Sequence, residues 1–351
     1  MASSRVGVTL SNNWRAATAS GRALALPAMV ELEQGVPAAG WDDWLTAHGG
    51  HVLQSRAWAR FQDALGHRVL HCAGDSWSWL GTMEKLHGIH HLYVPYGPTL
   101  GDGDIAGLSG ALSEGGRRGG ADFVRVEPVG TGAGAWLDSG TLTATTPTQP
   151  RDTWILDLSP DVETLRRGLE KGHRWRVNAA ERKGVSVSES RDPGDIETFL
   201  TLLRDTTEHG GFRAQQDDHY RTLMRVLGAD GHARLYIARF EGRSVAASIV
   251  LDFAGTRYYL HSAADQVVNR RVGAAVPLLW TMIIDAKQLG ARIFDFWGVA
   301  PDDSPNHPWA GISAFKRAFG GRMLRRDGTW DMPLRRLRYR AYRAARSVLR
   351  R

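Results

Sequence analysis

The chain has 351 residues, of which 42% are apolar and 23% charged, a composition typical of a soluble globular protein. This length is sufficient for two domains, each with its own hydrophobic core. The single cysteine, Cys72, excludes an internal disulfide and any metal site built from several cysteines. The sequence contains no apolar run long enough to span a bilayer and no clear hydrophobic signal core. These features predict a cytoplasmic protein.

The positive charge is concentrated at the C-terminus. Residues 334–351 contain eight arginines and no acid, whereas the net charge of the whole chain is only +7. We predict a C-terminal helix whose packed face carries Leu334, Leu337, Ala341, Ala345 and Val348. The arginines on its other faces would suit a tRNA acceptor stem or an anionic membrane surface.

The stretch from Phe294 to Gly321 has the clearest pattern in the sequence. Residues 294–299 predict a short buried strand around one carboxylate, and residues 311–319 predict a helix that ends at glycines. Phe315 and Phe319 fall on one face of this helix, next to Lys316. A lysine fixed by aromatic packing can direct a positive charge into a cleft. A solvated lysine on a surface helix is the plainer interpretation of the spacing alone.

Several motifs resemble those of the Fem-type aminoacyltransferases. The C-terminal signature reads FDFWG, then GISAFKRAFGG, then GTWD, and the similarity extends from about Leu53 to Asp331. It includes LQS-x-x-W at residues 53–58, a P-x-G-P turn at 95–98 and a QP…LDL strand at 149–158. The resemblance implies an α/β (α+β) fold of two tandem GNAT-like (acetyltransferase-like) domains, with mixed sheets flanked by helices.

The resemblance also implies the domain organisation. We expect a disordered or loosely packed extension over residues 1–29 and a first GNAT-like domain over 30–150. The second GNAT-like domain would cover 151–325, and residues 326–351 would form a basic helix that packs back on the first domain. No long charged helical hairpin occurs between residues 183 and 273, so the coiled-coil arm of some relatives is absent.

Two residues are the catalytic candidates that the resemblance supplies. Lys316 would stabilise the tetrahedral oxyanion or the leaving group. Glu127, which follows a predicted central strand, would orient or deprotonate the acceptor amine. A salt bridge between Glu127 and Arg125 or another neighbour is the structural alternative.

The family also places substrate-binding residues on this sequence. Arg213 matches an arginine that holds the acceptor's phosphates, while Tyr259 and Phe315 would line the acceptor path. Some relatives place a lysine on the precursor's pyrophosphate shortly after the tryptophan that corresponds to Trp58. Here Gln62 takes that position, and this departure puts a nucleotide-diphosphate acceptor in doubt.

Two basic segments are further candidates for phosphate or tRNA binding. Residues 165–183 contain seven basic residues against two acids, including Arg174 and Arg176. A solvated helix face is the default interpretation of this segment. Arg270 and Arg271 open the sequence R-x-x-G-x-A, which fits the pyrophosphate loop of acyl-CoA-dependent N-acetyltransferases.

No metal site is predicted. His87, His90 and His91 lie close in sequence, but no carboxylate or cysteine completes a ligand set. A β-hairpin with exposed histidines is the better interpretation.

We therefore predict an enzyme that forms an amide bond between an amino acid carried by aminoacyl-tRNA and an amine of a peptidoglycan precursor peptide. The precursor would be lipid-linked or nucleotide-linked, and contact with the inner membrane face would be peripheral. Three alternatives stay open: an acyl-CoA-dependent N-acyltransferase, a tRNA-dependent transferase acting on a small amine in natural-product biosynthesis, and a non-catalytic module that binds tRNA or an envelope precursor. No cofactor is expected, since aminoacyl-tRNA is a co-substrate and acetyl-CoA belongs only to the first alternative.

Overall fold

The computed structural model describes residues 32–86, 88–130, 133–210, 214–302 and 304–348. Within these ranges the strands are β1 Glu33–Gln34, β2 Val69–Ala73, β3 Trp77–Leu86, β4 Ile89–Val94, β5 Thr99–Leu100, β6 Phe123–Val126, β7 Val129–Gly130, β8 Thr143–Thr145, β9 Asp152–Asp157, β10 Val185–Glu189, β11 Ala233–Phe240, β12 Arg243–Phe253, β13 Thr256–Ala264, β14 Ile293–Gly298, β15 Arg322–Arg325 and β16 Thr329–Pro333.

The helices of the same ranges are α1 Trp41–Ala47, α2 Arg56–Ala64, α3 Leu108–Gly119, α4 Ala133–Leu137, α5 Val162–Gly168, α6 Lys171–Ala179, α7 Ile196–Gly210, α8 Asp217–Leu223, α9 Gln266–Val272, α10 Ala275–Gln288, α11 Ala310–Arg317 and α12 Arg336–Val348. Short 3-10 segments occur at Val52–Gln54, Glu181–Lys183 and Pro193–Asp195, and a π-helical segment at Met224–Gly228. None of the described helices between residues 183 and 273 forms a coiled-coil arm.

The strands form two mixed sheets. The first has the order β1-β2-β3-β4-β6-β16-β8, with β5 and β7 paired at its margin, and the second has the order β10-β11-β12-β13-β14-β9-β15. Strand β16 follows the whole second sheet in sequence, yet it pairs with β6 and β8 of the first. The prediction of an α/β fold with mixed sheets is confirmed.

Strands β13 and β14 separate soon after they meet. They pair in parallel only over Thr256–Tyr258 and Ile293–Asp295. Immediately afterwards Trp297 adopts a φ of 65°, and the register between β14 and β9 shifts between Asp295 and Gly298. A positive φ is unfavourable for a bulky residue, so the packing around Trp297 must hold this bend. The bend turns the end of β14 away from β13.

One hydrophobic core spans both sheets. Trp44 and Phe61, from α1 and α2 near the start of the described chain, share a buried cluster with Phe199 of α7 and with Ile237 and Leu251 of the second sheet. Apolar burial contributes roughly 25 cal/mol per Å², so this shared cluster resists separation of the two halves. A second cluster lies between α10 and the opposite face of the second sheet.

The buried face of α12 differs from the predicted one. Tyr339 and Tyr342 pack against Phe123, whereas Leu337 remains 81% exposed. The Tyr339 hydroxyl donates to Asp331 Oδ2 at 3.0 Å. The prediction of a packed Leu337 face was wrong because tyrosines supply larger apolar surfaces and a hydrogen bond to the first sheet.

The histidine-bearing hairpin is formed by β3 and β4, with Leu86 opposite Ile89. His90 is exposed, but His91 is buried and stacks on Phe123 with ring centroids 4.9 Å apart. Successive strand residues point to opposite faces, so the expectation that the histidines are exposed fails for His91. His87 lies outside the described residues.

Among the described helices, none is long and apolar enough by itself to cross a membrane. Helices α9 and α10 together have the length and apolar composition of a membrane span, but they bend by 78° at their junction.

Candidate active site

Lys316 is held inside the second half of the chain. It lies in the last turn of α11 and is 7% exposed. Its Nζ donates to the Gly298 carbonyl oxygen at 2.7 Å and lies 5.9 Å from the centroid of the Tyr259 ring. Burial lowers the pKa of Lys316 to about 8, although the nearby Asp295 carboxylate acts in the opposite direction. The ammonium is therefore not a solvated surface charge.

Asp295 is the carboxylate that faces this ammonium. It sits in β14, is 2% exposed, and accepts a hydrogen bond from the Trp297 N–H at 2.7 Å. Arg326 Nη2 lies 3.6 Å from its other oxygen. Burial raises the pKa of Asp295, while Arg326 and Lys316 lower it. Arg326 and Lys316 are thus two cations whose charges act on the buried Asp295 carboxylate.

Aromatic and glycine contacts fix the helix that carries Lys316. The Phe315 and Phe319 rings meet edge to face at 5.5 Å, and both contact His173 of α6. Gly321, at a φ of 99°, passes so close to the Ile155 carbonyl that a Cβ would lie 2.3 Å from its oxygen. Only glycine fits there, which accounts for the glycine pair of the AFGG motif.

A cavity of about 360 Å³ lies on the other side of the Trp297 bend. Trp58 and Gln62 of α2 line it, together with residues of both sheets and the segments beside them: Tyr93, Gln149, Leu260, His261 and Trp297. Trp297 directly precedes Gly298, whose carbonyl oxygen holds Lys316, and Leu260 directly follows Tyr259. The described lining residues of this cavity do not include Lys316. The cavity and the ammonium are thus neighbours across the same strand residues.

Glu127 is fully occupied by internal hydrogen bonds. It is 3% exposed, and its carboxylate accepts from the Tyr93 hydroxyl at 2.8 Å, the Thr329 hydroxyl at 2.7 Å and the Gln149 N–H at 2.8 Å. The Thr148 and Tyr96 N–H groups add longer contacts at 3.2 and 3.4 Å. A general base needs a lone pair directed at its substrate. The lone pairs of the Glu127 carboxylate are instead engaged by these donors.

The salt bridge between Glu127 and Arg125, the structural alternative for this residue, is absent from the described structure. Arg125 instead forms a two-point pair with Asp331, at 2.8 and 3.0 Å. Glu127 therefore connects three parts of the first half of the structure: the end of β6, the segment that precedes β9, and strand β16. We do not retain it as the base.

The predicted acceptor residues lie in different places. Gln62 Oε1 contacts His67 Nδ1 at 2.6 Å, at the wall of the cavity. The neighbouring Arg60 pairs instead with Asp230 on the second half of the chain. Arg213 lies outside the described residues.

The predicted phosphate-binding arginines lie on α6 and α9. Arg176 packs over the α9–α10 junction, where a Cβ on Gly273 would lie 3.0 Å from its Cδ. Arg174 donates to the Arg167 carbonyl oxygen at 2.9 Å, Arg271 lies over the Phe240 ring, and Arg270 is exposed. The structure brings Arg176 to the R-x-x-G-x-A loop, but it places none of these four against Lys316.

The start of α10 has few free donors for a pyrophosphate. The Ala275 N–H donates to the Asn269 side chain at 2.9 Å, and the Val276 N–H to the Gly273 carbonyl oxygen at 3.3 Å. Pro277 has no N–H at all. A phosphate site at a helix N-terminus depends on such donors being available, so this geometry weighs against an acyl-CoA site.

Some parts of the site were not apparent from the sequence. Asp295 was visible as the single acid of the FDFWG motif, but its ion pair with Arg326 and its effect on the charge of Lys316 were not. The positive φ of Trp297 left no local signal, because the residue that adopts it is a tryptophan and not a glycine. The described residues contain no group of three or more histidine, cysteine, aspartate or glutamate side chains placed to hold a metal ion.

Comparison with known proteins agrees with this architecture. Residues 166–317 match the model of an acetyltransferase (GNAT) domain. The lipid II:glycine glycyltransferase of Staphylococcus aureus strain USA300 is 21% identical over 257 residues, which cover 53% of this chain and 59% of that relative. The chain thus spans about three fifths of the length of the curated relatives that it matches.

Solved structures show the same fold at low identity. The crystal structure of FemX superposes with a TM-score of 0.76 at 18% identity, covering 88% of this chain and 99% of that one. The structure of L-PGS from Bacillus licheniformis gives a TM-score of 0.57 at 13% identity, covering 86% of this chain and 93% of that one. These solved structures show that the chain shares the fold of FemX, and residues 166–317 of that fold match a GNAT domain.

Proposed function

We propose that this protein is an aminoacyltransferase that extends a peptidoglycan precursor peptide. An acceptor amine attacks the ester carbonyl of an aminoacyl-tRNA, a C–N bond forms and the C–O bond to the terminal ribose breaks. The proton lost by the amine passes to the departing ribose oxygen. The observation that carries this proposal is the buried Lys316 ammonium, which is fixed by Gly298 and Tyr259. Trp297 and Leu260, the sequence neighbours of these two residues, line the cavity.

Lys316 fits the charge demand of this reaction. Attack on an ester produces a tetrahedral oxyanion, and a preorganised cation in a dry site stabilises that charge without reorganising water. Among the described residues, the ammonium donates a hydrogen bond to Gly298 alone, which leaves two of its three protons for a ligand. The charge of Asp295 raises the pKa of Lys316 against the effect of burial, so we assign Asp295 a supporting role in keeping the lysine charged.

The acceptor peptide is the ligand we place in the 360 Å³ cavity. Its described lining combines aromatic rings with the amide groups of Gln62 and Gln149 and contains no lysine or arginine. Such a surface suits a peptide better than a diphosphate. The curated relatives are named for lipid II and glycine, and a lipid-linked peptide is accordingly the acceptor we favour. A peripheral position at the inner membrane face follows from that choice of acceptor.

The rate of transfer should depend on the protonation of Lys316. Burial lowers the pKa of Lys316 to about 8, so the ammonium is lost as the pH rises above that value. We expect kcat/KM to fall on the alkaline side of about pH 8. Asp295→Asn removes the carboxylate that raises the pKa of Lys316, and the alkaline limb should then move to lower pH. A pH–rate profile of both proteins measures this shift, and an unchanged limb in Asp295→Asn would contradict the supporting role.

Trp58→Ala should weaken acceptor binding rather than chemistry. An aromatic contact contributes about 0.5–1.5 kcal/mol, so we expect KM for the acceptor to rise about two- to tenfold with kcat nearly unchanged. Steady-state kinetics at saturating aminoacyl-tRNA measure the two constants separately. Trp175→Ala is the matched control, because this tryptophan is 55% exposed on α6. A fall in kcat at constant KM would place Trp58 elsewhere in the reaction.

The proposal as a whole is tested by product formation. The protein is incubated with mixed charged tRNAs and a panel of lipid-linked, nucleotide-linked and small-amine acceptors, and products are identified by mass spectrometry. An added aminoacyl residue on one acceptor supports the proposal. Tight acetyl-CoA binding in calorimetry with acetylated product would instead establish the acyl-CoA alternative. Binding of tRNA or precursor without any transfer would establish a non-catalytic module.

A further inference from the structure

A second concave site lies at the C-terminal helix, away from Lys316. Three arginines of α12, Arg336, Arg340 and Arg343, line a cavity of about 630 Å³. The facing wall carries the hydroxyl groups of Ser109 and Ser113 on α3, with Thr143 of β8 beside them. We call this cavity the arginine groove. None of the catalytic or acceptor candidates contributes to it.

The arginines of the groove differ from those on the other flank of α12. Arg335 and Arg338 lie 3.5 and 3.1 Å from the buried Asp122 carboxylate. Within the described chain, the three groove arginines form no salt bridge, and no acidic side chain is among the described lining residues. Three guanidinium groups concentrated in one cavity without counter-charges repel one another, so the groove attracts an anion.

The spacing of the arginines points to a row of anionic groups. Arg336, Arg340 and Arg343 are related as i, i+4 and i+7, so they share one face and extend over about 10 Å of the helix axis. Ser109 Oγ accepts from the Trp136 indole at 2.9 Å, which leaves its own proton available for donation. The Ser113 hydroxyl instead donates to Met332 Sδ at 3.3 Å. A row of guanidinium forks beside the Ser109 hydroxyl matches successive phosphates of a nucleic-acid strand.

We propose that the arginine groove binds the phosphodiester backbone of RNA. The identity of that RNA as the tRNA co-substrate rests on the proposed function, whereas the anion chemistry of the groove does not. Strand β16 connects the two places: Met332 and Pro333 line the groove, and Thr329 donates to Glu127. Three to four strand residues span about 10–13 Å. The groove therefore lies near Glu127, whose hydrogen-bond partners Tyr93 and Gln149 line the acceptor cavity.

A bilayer surface fits α12 less well. Among the described side chains of α12, the outward face offers one large apolar residue, Leu337, accompanied by the small side chains of Ala341 and Ala344. Burying one leucine contributes about 2 kcal/mol, which is marginal for stable membrane attachment. The aromatic rings of Tyr339 and Tyr342 point inward to Phe123. The arginines line a concave groove, and a flat lipid surface cannot follow it.

The test is the binding of deacylated tRNA to the full chain, followed by fluorescence anisotropy over a salt series. The variant is R336Q/R340Q/R343Q. A matched control, R191Q/R225Q/R243Q, removes three exposed arginines from the second half of the chain. We expect the groove variant to raise Kd about tenfold or more and to reduce the slope of log affinity against log salt by about 2 to 3. The control should retain most of the affinity and slope, and both variants should melt like the parent.

Two results would overturn the groove proposal. One is unchanged tRNA affinity and salt slope in the groove variant. The other is a loss confined to vesicles of phosphatidylglycerol and phosphatidylcholine, which would assign the arginines to a membrane. Transfer assays separate this proposal from the proposed function. If the parent binds tRNA through the groove but transfers nothing, the function fails and the groove stands. If the groove variant transfers with an unchanged KM for aminoacyl-tRNA, the groove fails and the function stands.

Discussion

Replacing Lys316 with alanine is expected to lower kcat/KM for aminoacyl transfer by about two to three orders of magnitude. Removal of one oxyanion donor typically costs about 3–4 kcal/mol of transition-state stabilisation, and Lys316 is a buried cation bound to the Gly298 carbonyl oxygen, next in sequence to the cavity residue Trp297. The fold should persist, because a buried ammonium with a lowered pKa contributes little net stability. Transfer from radiolabelled aminoacyl-tRNA measures the rate, and circular dichroism monitors the fold.

Lys287 offers a matched control for that substitution. Its Nζ also donates to a backbone carbonyl oxygen, that of Leu158, at 2.8 Å, but it lies at the far end of α10. Lys287→Ala should retain nearly full transfer. Equal losses in the two variants would mean that a lysine–backbone contact supports the fold and that Lys316 has no special chemical role. Full activity of Lys316→Ala would remove the residue from the mechanism.

The largest effect on stability is expected at Asp331. This carboxylate is paired with Arg125 at 2.8 and 3.0 Å and accepts from Tyr339, and both charged side chains are almost completely buried. Asp331→Ala leaves the Arg125 guanidinium buried without its counter-charge, which typically costs 3–5 kcal/mol. It also removes the hydrogen bond that holds α12 on the first sheet. Chemical denaturation should show this loss in the free energy of unfolding.

Two further variants separate the buried charge from ordinary surface effects. Glu114→Ala breaks an exposed pair with Arg118 and should change the free energy of unfolding by less than about 1 kcal/mol. The double substitution Arg125→Met with Asp331→Leu removes both charges together. It should be less destabilising than Asp331→Ala alone, because no unpaired charge stays buried. A double variant at least as unstable as the single one would show that the pair itself holds the sheet.

The family motifs predicted the fold because each one specifies local backbone geometry. In LQS-x-x-W, the Gln54 amide donates to the Leu80 and Pro95 carbonyl oxygens, at 2.9 and 2.8 Å, and Ser55 caps α2 through the Trp58 N–H. These hydrogen bonds and caps depend on residue type and spacing, so a single sequence is enough to predict them. The domain boundaries and the site roles remain predictions.

Other features depend on contacts between distant segments and could not be predicted. Glu127 appeared to be a cleft residue because it follows a central strand, but its donors come from positions as far apart as Tyr93 and Thr329. The face of α12 was misassigned because apolar spacing outweighed the tyrosines in the pattern. The ion pair between Asp295 and Arg326 joins two segments that are distant in sequence, so it could not be predicted.

The hydrophobic cluster shared by α1, α2 and the second sheet has a consequence for catalysis. Domains joined by a small, wet interface rotate readily about a hinge, whereas a large apolar interface opposes such rotation. Here Phe61 and Phe199 belong to one continuous core, so the relative position of the two halves is set when the chain folds. Substrates must enter by displacing side chains and local loops, and the two halves should stay at a constant angle through the turnover cycle.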